Sequence, residues 1–203
     1  MPHSEHEKGY PSVTEVLGVV HKEFIVRWYG KYGTEYCERV KRESGEFGST
    51  IHTLIEQRLR GQDIGECSPR QREMVNTFDK WQRQSGFVPV EIERKVEHKG
   101  LKYHGTFDVL GHFTDGTQLF LLDWKTSRQI DNLYGAQLAA YAEAYKDETG
   151  VAVAAGGIVR LEKDPSKPKQ IEVKTFNELP NYFEVFKACL VIHQFLHPGK
   201  KRK

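Results

Sequence analysis

Acidic and basic side chains lie on two successive apolar segments in the middle of the chain. Asp108 is part of GTFDVLG, and Asp123 and Lys125 are part of LLDWKTS. Because neighbouring side chains of a β-strand leave opposite faces, we expect Asp123 and Lys125 on one face of a sheet and Leu122 and Trp124 on the other. A buried unpaired carboxylate costs roughly several kcal/mol, which a divalent cation offsets. Two carboxylates and an ammonium in this pattern therefore favour metal-assisted cleavage of a phosphodiester.

An ordinary ion pair on a surface strand is the alternative interpretation of the same residues. A D-x-K sequence arises by chance on the order of once in a chain of this size. Further polar residues accompany it on other predicted elements, namely Glu93 on the preceding strand, His52 on an upstream helix, and Gln137 and Tyr141 on the following helix. Because this order of elements is hard to assemble by chance, we favour the site over the surface pair.

Hydrolysis of a phosphodiester requires attack by water and stabilisation of charge on the attacking and leaving oxygens. Asp108 and Asp123 are the predicted metal ligands, and the backbone carbonyl of Trp124 is a further candidate ligand. Lys125 is predicted to orient or deprotonate the water and to stabilise the phosphorane. The alternative is that Lys125 only neutralises Asp123.

A third acid is expected on the strand that precedes Asp108. Glu93 is the candidate, but Glu91 and Glu97 share its face if side chains alternate strictly. The sequence therefore leaves open which of the three completes the site.

Three polar residues on predicted helices are the remaining candidates. His52 in GSTIH would favour Mn²⁺ over Mg²⁺ as a ligand, although a histidine on a half-apolar helix is more often a hydrogen-bonded core or surface residue. Gln137 and Tyr141 in QLAAY lie on one helical face, where they could hold a phosphate or steady Lys125. The alternative for this pair is the polar edge of an alanine-rich packing helix.

Composition limits the class of protein. At 203 residues the chain fits one domain with a single core. A net charge of only +2 means that binding to a polyanion requires local basic patches. Cys37, Cys67 and Cys189 form no CxxC pair, which indicates a reducing compartment. Because no apolar run approaches a membrane span and no signal-peptide core is present, we expect a cytoplasmic protein without membrane contact.

The pattern of elements predicts an α/β fold. A helical N-terminal cap is expected at residues 1–86, a catalytic sheet with a crossover helix at 87–176, and a C-terminal helix with a basic tail at 177–203. In the cap, a capping box at Ser12 opens a helix that is expected to continue, with breaks near Gly30 and Gly33, to about Ser44. Further helices are expected from Gly48 to Arg60 and from Ser68 onward.

From Val88 the hydrophobic period changes to two, which predicts an antiparallel meander of three strands. A helix from Asn132 to Lys146 is expected to cross over to a strand from Val151 to Leu161 that runs parallel to its neighbour. A short strand and a closing helix follow. The result is a mixed central sheet flanked by helices.

Aromatic residues are frequent in the predicted cap and alternate there with basic ones. They are Phe24, Trp28, Tyr29, Tyr32 and Tyr36, mixed with Arg27 and Lys31. Such a composition can stack on bases and contact phosphates. Burial in the core is the more frequent role of aromatics on an amphipathic helix, and we favour it here.

The motifs in this order resemble the PD-(D/E)XK nuclease superfamily in its RecB-like exonuclease branch, which includes phage-encoded and mitochondrial genome maintenance exonucleases. The resemblance rests on GSTIH, Glu93, GTFD, DWK followed by Thr126 and Ser127, and QLAAY. It implies a restriction-endonuclease-like core, and it implies Mg²⁺ or Mn²⁺ bound by His52, Glu93, Asp108 and Asp123. It further implies catalysis by Lys125 with the acids Glu93, Asp108 and Asp123, and substrate contacts by Gln137, Tyr141, Thr126 and Ser127. The cysteine cluster of some members is missing, which implies the subgroup without an iron-sulfur cluster.

By that resemblance the chain is expected to be a metal-dependent DNA exonuclease that acts on single-stranded or free-ended DNA. The expected setting is phage or bacterial DNA recombination, repair or degradation, in the cytoplasm of the bacterial host and with contacts to other recombination or replication proteins. A structure-specific endonuclease and a catalytically idle nucleic-acid-binding module on the same fold are the alternatives.

Overall fold

A computed structural model describes residues 9–20 and 23–198, so the predicted basic tail at 199–203 lies outside the described residues. The described elements are α1 Val13–Leu17, α2 Glu23–Tyr32, α3 Thr34–Leu59, α4 Pro69–Ser85, β1 Phe87–His98, β2 Tyr103–Phe113, β3 Phe120–Lys125, α5 Leu133–Thr149, β4 Ala155–Leu161, β5 Ile171–Phe176 and α6 Leu179–Leu196. None of these helices is long and apolar enough to cross a membrane.

The five strands form one mixed sheet in the order β1-β2-β3-β4-β5. Strands β1, β2 and β3 pair as an antiparallel meander, β4 runs parallel to β3, and β5 pairs antiparallel to β4. Helix α5 connects the two parallel strands. The predicted α/β fold, with its meander and its crossover helix, is confirmed.

Two apolar cores cover the two faces of the sheet. On one face Leu121 packs with α1, α5 and α6. On the other face Leu122 and Trp124 pack with α3 and α4, where the Trp124 ring meets Phe78 edge-on at 4.8 Å between centroids. The predicted alternation along β3 is therefore confirmed. The small residues of β4 let α5 lie close, since a Cβ on Gly156 would meet Leu138 at 2.9 Å.

The helical cap differs from the prediction in three places. Helix α1 ends at Leu17 instead of continuing toward Ser44. Helix α2 runs through Gly30, and α3 runs without a break through Ser44 and Gly48, whereas the predicted break at Gly33 is present with φ +79°. An interior glycine costs a helix roughly 1 kcal/mol. In α3 the burial of apolar side chains on one helical face offsets that cost. Ile51 and Ile55, which lie one turn apart, are fully buried on that face.

Helix α2 also contradicts the expected burial of the aromatic residues. The helix has no buried residue, and Phe24, Tyr32 and Tyr36 are exposed. Lys31 Nζ lies 5.0 Å from the centre of the Tyr32 ring, and the Arg39 guanidinium lies 5.5 Å from the centre of the Tyr36 ring. The core interpretation is wrong for these three rings, which are exposed, and basic side chains lie beside Tyr32 and Tyr36.

Candidate active site

Strands β2 and β3 separate where the acidic residues occur. Their ladder pairs Val109 with Leu122 and ends at that pair. Beyond it the carboxylate of Asp108 takes the place of a backbone acceptor, because the Trp124 N–H donates a hydrogen bond to Asp108 Oδ2 at 2.7 Å. Asp108 and Asp123 therefore lie just beyond the last pair of the β2–β3 ladder. Both are almost fully buried.

Glu93 reaches the site through an unusual backbone. Strand β1 pairs Ile92 with Val109 and Arg94 with Phe107, which places Glu93 opposite Asp108. Glu93 has φ +51°, in the left-handed region that non-glycine residues rarely adopt. Such a residue interrupts the alternation of side chains along the strand. Strained backbone of this kind is frequent at functional sites.

The interruption separates Glu93 from Glu91, which strict alternation places on the same face. Glu91 points to α5, where it accepts hydrogen bonds from the Tyr145 hydroxyl at 2.9 Å and from Arg94 at 2.5 Å. Arg94 would lie on the opposite face from Glu91 in a regular strand, yet the two form an ion pair. The expectation that Glu91 shares the face of Glu93 is therefore wrong.

Three side chains form a group that fits a metal ion. One potential ligand atom from each of His52, Glu93 and Asp108 lies within 4.8 Å of the other two. His52 Nδ1 is 3.2 Å from Asp108 Oδ2. Two carboxylate oxygens and an imidazole are ligands that first-row divalent cations accept.

The charges of this group affect one another strongly. Burial, together with the charges of Asp108 and Glu56, raises the pKa of Glu93 to about 7. Burial lowers the pKa of His52, but its hydrogen bond to Asp108 and the negative charge of Asp108 raise that pKa by more. A cation among the carboxylates would relieve their repulsion.

Asp123 and Lys125 form a separate buried pair. Lys125 Nζ lies 2.5 Å from Asp123 Oδ2, but that oxygen accepts no hydrogen bond of good geometry from the described residues. The negative charges of Asp123 and Asp108 raise the pKa of Lys125 although burial opposes them. Asp123, a predicted ligand, therefore faces Lys125 and lies outside the group of three. Its under-satisfied oxygen retains the capacity to bind a cation.

Gln137 and Tyr141 are buried behind this pair. Gln137 Nε2 lies 3.5 Å from Asp123 Oδ1 and donates a hydrogen bond to the Tyr141 hydroxyl at 3.1 Å. The Tyr141 ring packs on Gly105 so closely that a Cβ there would lie 2.3 Å from Tyr141 Cε1. Gln137 therefore contacts the Asp123 carboxylate that pairs with Lys125, and Tyr141 contacts Gln137.

An open cavity of about 580 Å³ joins the clustered residues. His52, Glu93, Asp108, Lys125, Thr126 and Ser127 line it, together with Gly48 and Ser49 of GSTIH. The cavity also has lining residues that the motifs did not indicate, namely Ser44, Gly45, Thr53, Glu56 and Lys163. Glu56 lies one helical turn after His52, so helical spacing could have indicated it. Lys163 follows β4, far from the motifs in sequence, and no local signal marks it.

Comparisons with known proteins identify the family and the fold. The family model described as PD-(D/E)XK nuclease superfamily matches residues 62–193. A solved structure of a candidate exonuclease from Eubacterium rectale superimposes with a TM-score of 0.53 at 13% identity, over 98% of this chain and 84% of that one. An alkaline exonuclease from Laribacter hongkongensis gives a TM-score of 0.40 at 15% identity, over 93% of this chain and 91% of that one. No curated protein matches the chain.

Proposed function

The chain belongs to the PD-(D/E)XK nuclease superfamily, and from this premise we propose that it is a metal-dependent deoxyribonuclease that removes nucleotides from single-stranded or free-ended DNA. The observation that carries the proposal is the convergence of His52, Glu93 and Asp108 beside the Asp123–Lys125 pair, all bordering one open cavity except for the more deeply buried Asp123. By the resemblance in sequence, the activity belongs to phage or bacterial DNA recombination, repair or degradation, in the cytoplasm and with other recombination or replication proteins.

The proposed cofactor is Mg²⁺ or Mn²⁺. His52, Glu93 and Asp108 would hold it, with Asp123 and the Trp124 carbonyl as further ligands. The N–H and C=O of one strand residue leave on the same side, and the Trp124 N–H points to Asp108, so its carbonyl belongs to the same side. When bound, the cation supplies Lewis-acid stabilisation of phosphate oxygens and a water of lowered pKa. The imidazole ligand favours manganese.

Lys125 acts in this proposal as a fixed positive charge. Without a cation in the site, the negative charges of Asp123 and Asp108 raise the pKa of Lys125, so the ammonium is protonated at neutral pH in that state. Its place at the cavity allows it to stabilise the charge that develops on the phosphorane. Asp123 and Gln137 hold Lys125 in position, and Thr126 and Ser127 contact the substrate strand beside it.

Action on single strands or ends is supported by the exposed rings of the cap. Phe24, Tyr32 and Tyr36 offer flat apolar surfaces, and Lys31 and Arg39 lie beside two of them. Unpaired bases stack on such rings, whereas paired bases inside a duplex do not offer their faces.

The test is digestion of labelled linear single-stranded, linear double-stranded and circular single-stranded DNA with Mn²⁺, with Mg²⁺ and with chelator. The wild type is compared with Lys125→Met and Asp108→Asn, and with Lys169→Ala on an exposed loop as the control. We expect metal-dependent loss of linear DNA by the wild type and the control only. Equal loss of circular DNA would identify an endonuclease. DNA binding without any cleavage by the wild type would identify an idle binding module.

A further inference from the structure

Lys163 borders the catalytic cavity and is held there by the fold. The Lys163 carbonyl accepts a hydrogen bond from Arg70 at 2.9 Å, and its backbone N–H donates one to Glu162 at 2.9 Å. Its Nζ lies 3.4 Å from the Ser44 carbonyl oxygen and 5.2 Å from the centre of the Phe47 ring. The Ser44 carbonyl and the Phe47 ring carry no net charge, so they position the Lys163 ammonium without neutralising it.

The missing counter-charge distinguishes Lys163 from the neighbouring cations. Lys125 pairs with Asp123, and Arg160 pairs with Glu162 and Glu172. Within residues 9–20 and 23–198, no carboxylate oxygen lies within 4.0 Å of Lys163 Nζ. The side chain is half-buried, and burial lowers its pKa. A half-buried ammonium with neutral partners at the rim of a cavity is arranged to receive an anion from outside.

We propose that Lys163 binds a backbone phosphate of the nucleic-acid strand, adjacent to the phosphate that is cleaved. This inference rests on the proposed function, and it names a substrate contact that the motifs do not include. A cavity of about 580 Å³ has room for more than a single phosphate group. Lys163 and Lys125 line the same cavity, so a strand bound there with one phosphate at Lys125 passes through the space that Lys163 borders. An ammonium on a flexible stem suits a single phosphate oxygen.

The first test replaces Lys163 with glutamine and measures cleavage of a short single-stranded oligonucleotide in Mn²⁺. Lys169→Gln, an exposed position on the same loop, is the matched control, and Lys163→Arg tests whether positive charge suffices. We expect KM to rise about tenfold in Lys163→Gln with kcat changed less than about twofold, because the contact serves binding. The slope of log KM against log salt should fall by about 0.7 in Lys163→Gln alone. An unchanged KM and salt slope would overturn the proposal.

The second test identifies the phosphate. Neutral methylphosphonates replace the phosphates of the oligonucleotide one position at a time. At one position next to the cleaved bond, a methylphosphonate should raise the KM of the wild type about as much as the Lys163→Gln replacement does with unmodified DNA. The same methylphosphonate should leave the KM of the Lys163→Gln variant unchanged. Equal effects on both proteins at every position would refute the contact.

A failure of the proposed function gives a different result. If the wild type cleaves nothing, the fluorescence anisotropy of the same oligonucleotide still measures its binding to Lys163→Gln and to Lys169→Gln. Weaker binding by Lys163→Gln than by Lys169→Gln would then support the phosphate site in an inactive protein. A wild type that neither cleaves nor binds the oligonucleotide would overturn both proposals.

Discussion

Replacing Glu93 with glycine should make the protein more stable and inactive. Glu93 carries two costs in the folded state. Its left-handed backbone, with φ +51°, costs a residue with a side chain about 1–2 kcal/mol. The rise of its pKa from 4.5 to about 7 corresponds to at most about 3 kcal/mol of lost stability once the carboxylate is ionised in both states, because solvent screens the exposed part of this carboxylate.

The two costs depend differently on pH. An acid whose pKa is higher in the folded state imposes no penalty below its unfolded pKa, and the full penalty only above its folded pKa. The gain from losing the carboxylate should therefore be near zero at pH 4.5 and should rise to at most about 3 kcal/mol above pH 7. The backbone gain is independent of pH. It is reduced by about 0.4–1 kcal/mol, because glycine gives the unfolded chain more freedom.

The assay is urea unfolding with chelator at pH 4.5 and pH 8. Glu93→Gln removes the charge alone, so its gain should appear only at the higher pH. Lys102→Gly changes the backbone alone, because Lys102 is exposed and has φ +61°. Lys102→Gly should gain a similar small amount at both pH values and should cleave DNA normally. A Glu93→Gly protein that is less stable than the wild type at pH 8, or a gain that does not change with pH, would refute the reasoning.

Three further outcomes follow from the contacts of the site. Gly105→Ala should displace the Tyr141 ring, lower kcat and lower the free energy of unfolding by about 1–3 kcal/mol, as measured by thermal unfolding. Gly116→Ala, with open space around it, should have none of these effects. Gly48→Ala should raise the melting temperature, because alanine favours a helix over glycine by about 1 kcal/mol. It should also lower kcat, because the new Cβ would lie 3.2 Å from Thr126 Oγ1. The control Gly30→Ala, with open space around it, should raise the melting temperature without loss of activity. In calorimetry, Mn²⁺ should bind the wild type more weakly at pH 5.5 than at pH 8, because protons compete at Glu93 and His52, and Asp108→Asn should abolish that binding. Equal Mn²⁺ affinity at both pH values would contradict the predicted ligands.

Alternation along a regular strand accounts for what the sequence predicted well. Leu122 and Trp124 face one core because β3 is regular and fully paired with β4. The same reasoning failed on β1, because period counting assumes regular backbone dihedrals and Glu93 departs from them. No glycine at that position signals the departure. Contacts between residues that are far apart in the sequence also leave no local sequence pattern. For that reason only the folded structure shows that Lys163 borders the cavity.

The contacts between the motifs explain why the combined pattern is more specific than its parts. Gly48 of GSTIH leaves room for Thr126 after DWK, and Gly105 of GTFD leaves room for Tyr141 of QLAAY. His52 contacts Asp108, Asp108 holds the backbone N–H of Trp124, and Gln137 reaches Asp123. Each motif therefore supplies either a polar group or a missing Cβ that another motif requires. A chance D-x-K lacks these partners, so the glycines and the acids are parts of one packed unit, and altering either kind of residue should disturb both the geometry and the chemistry.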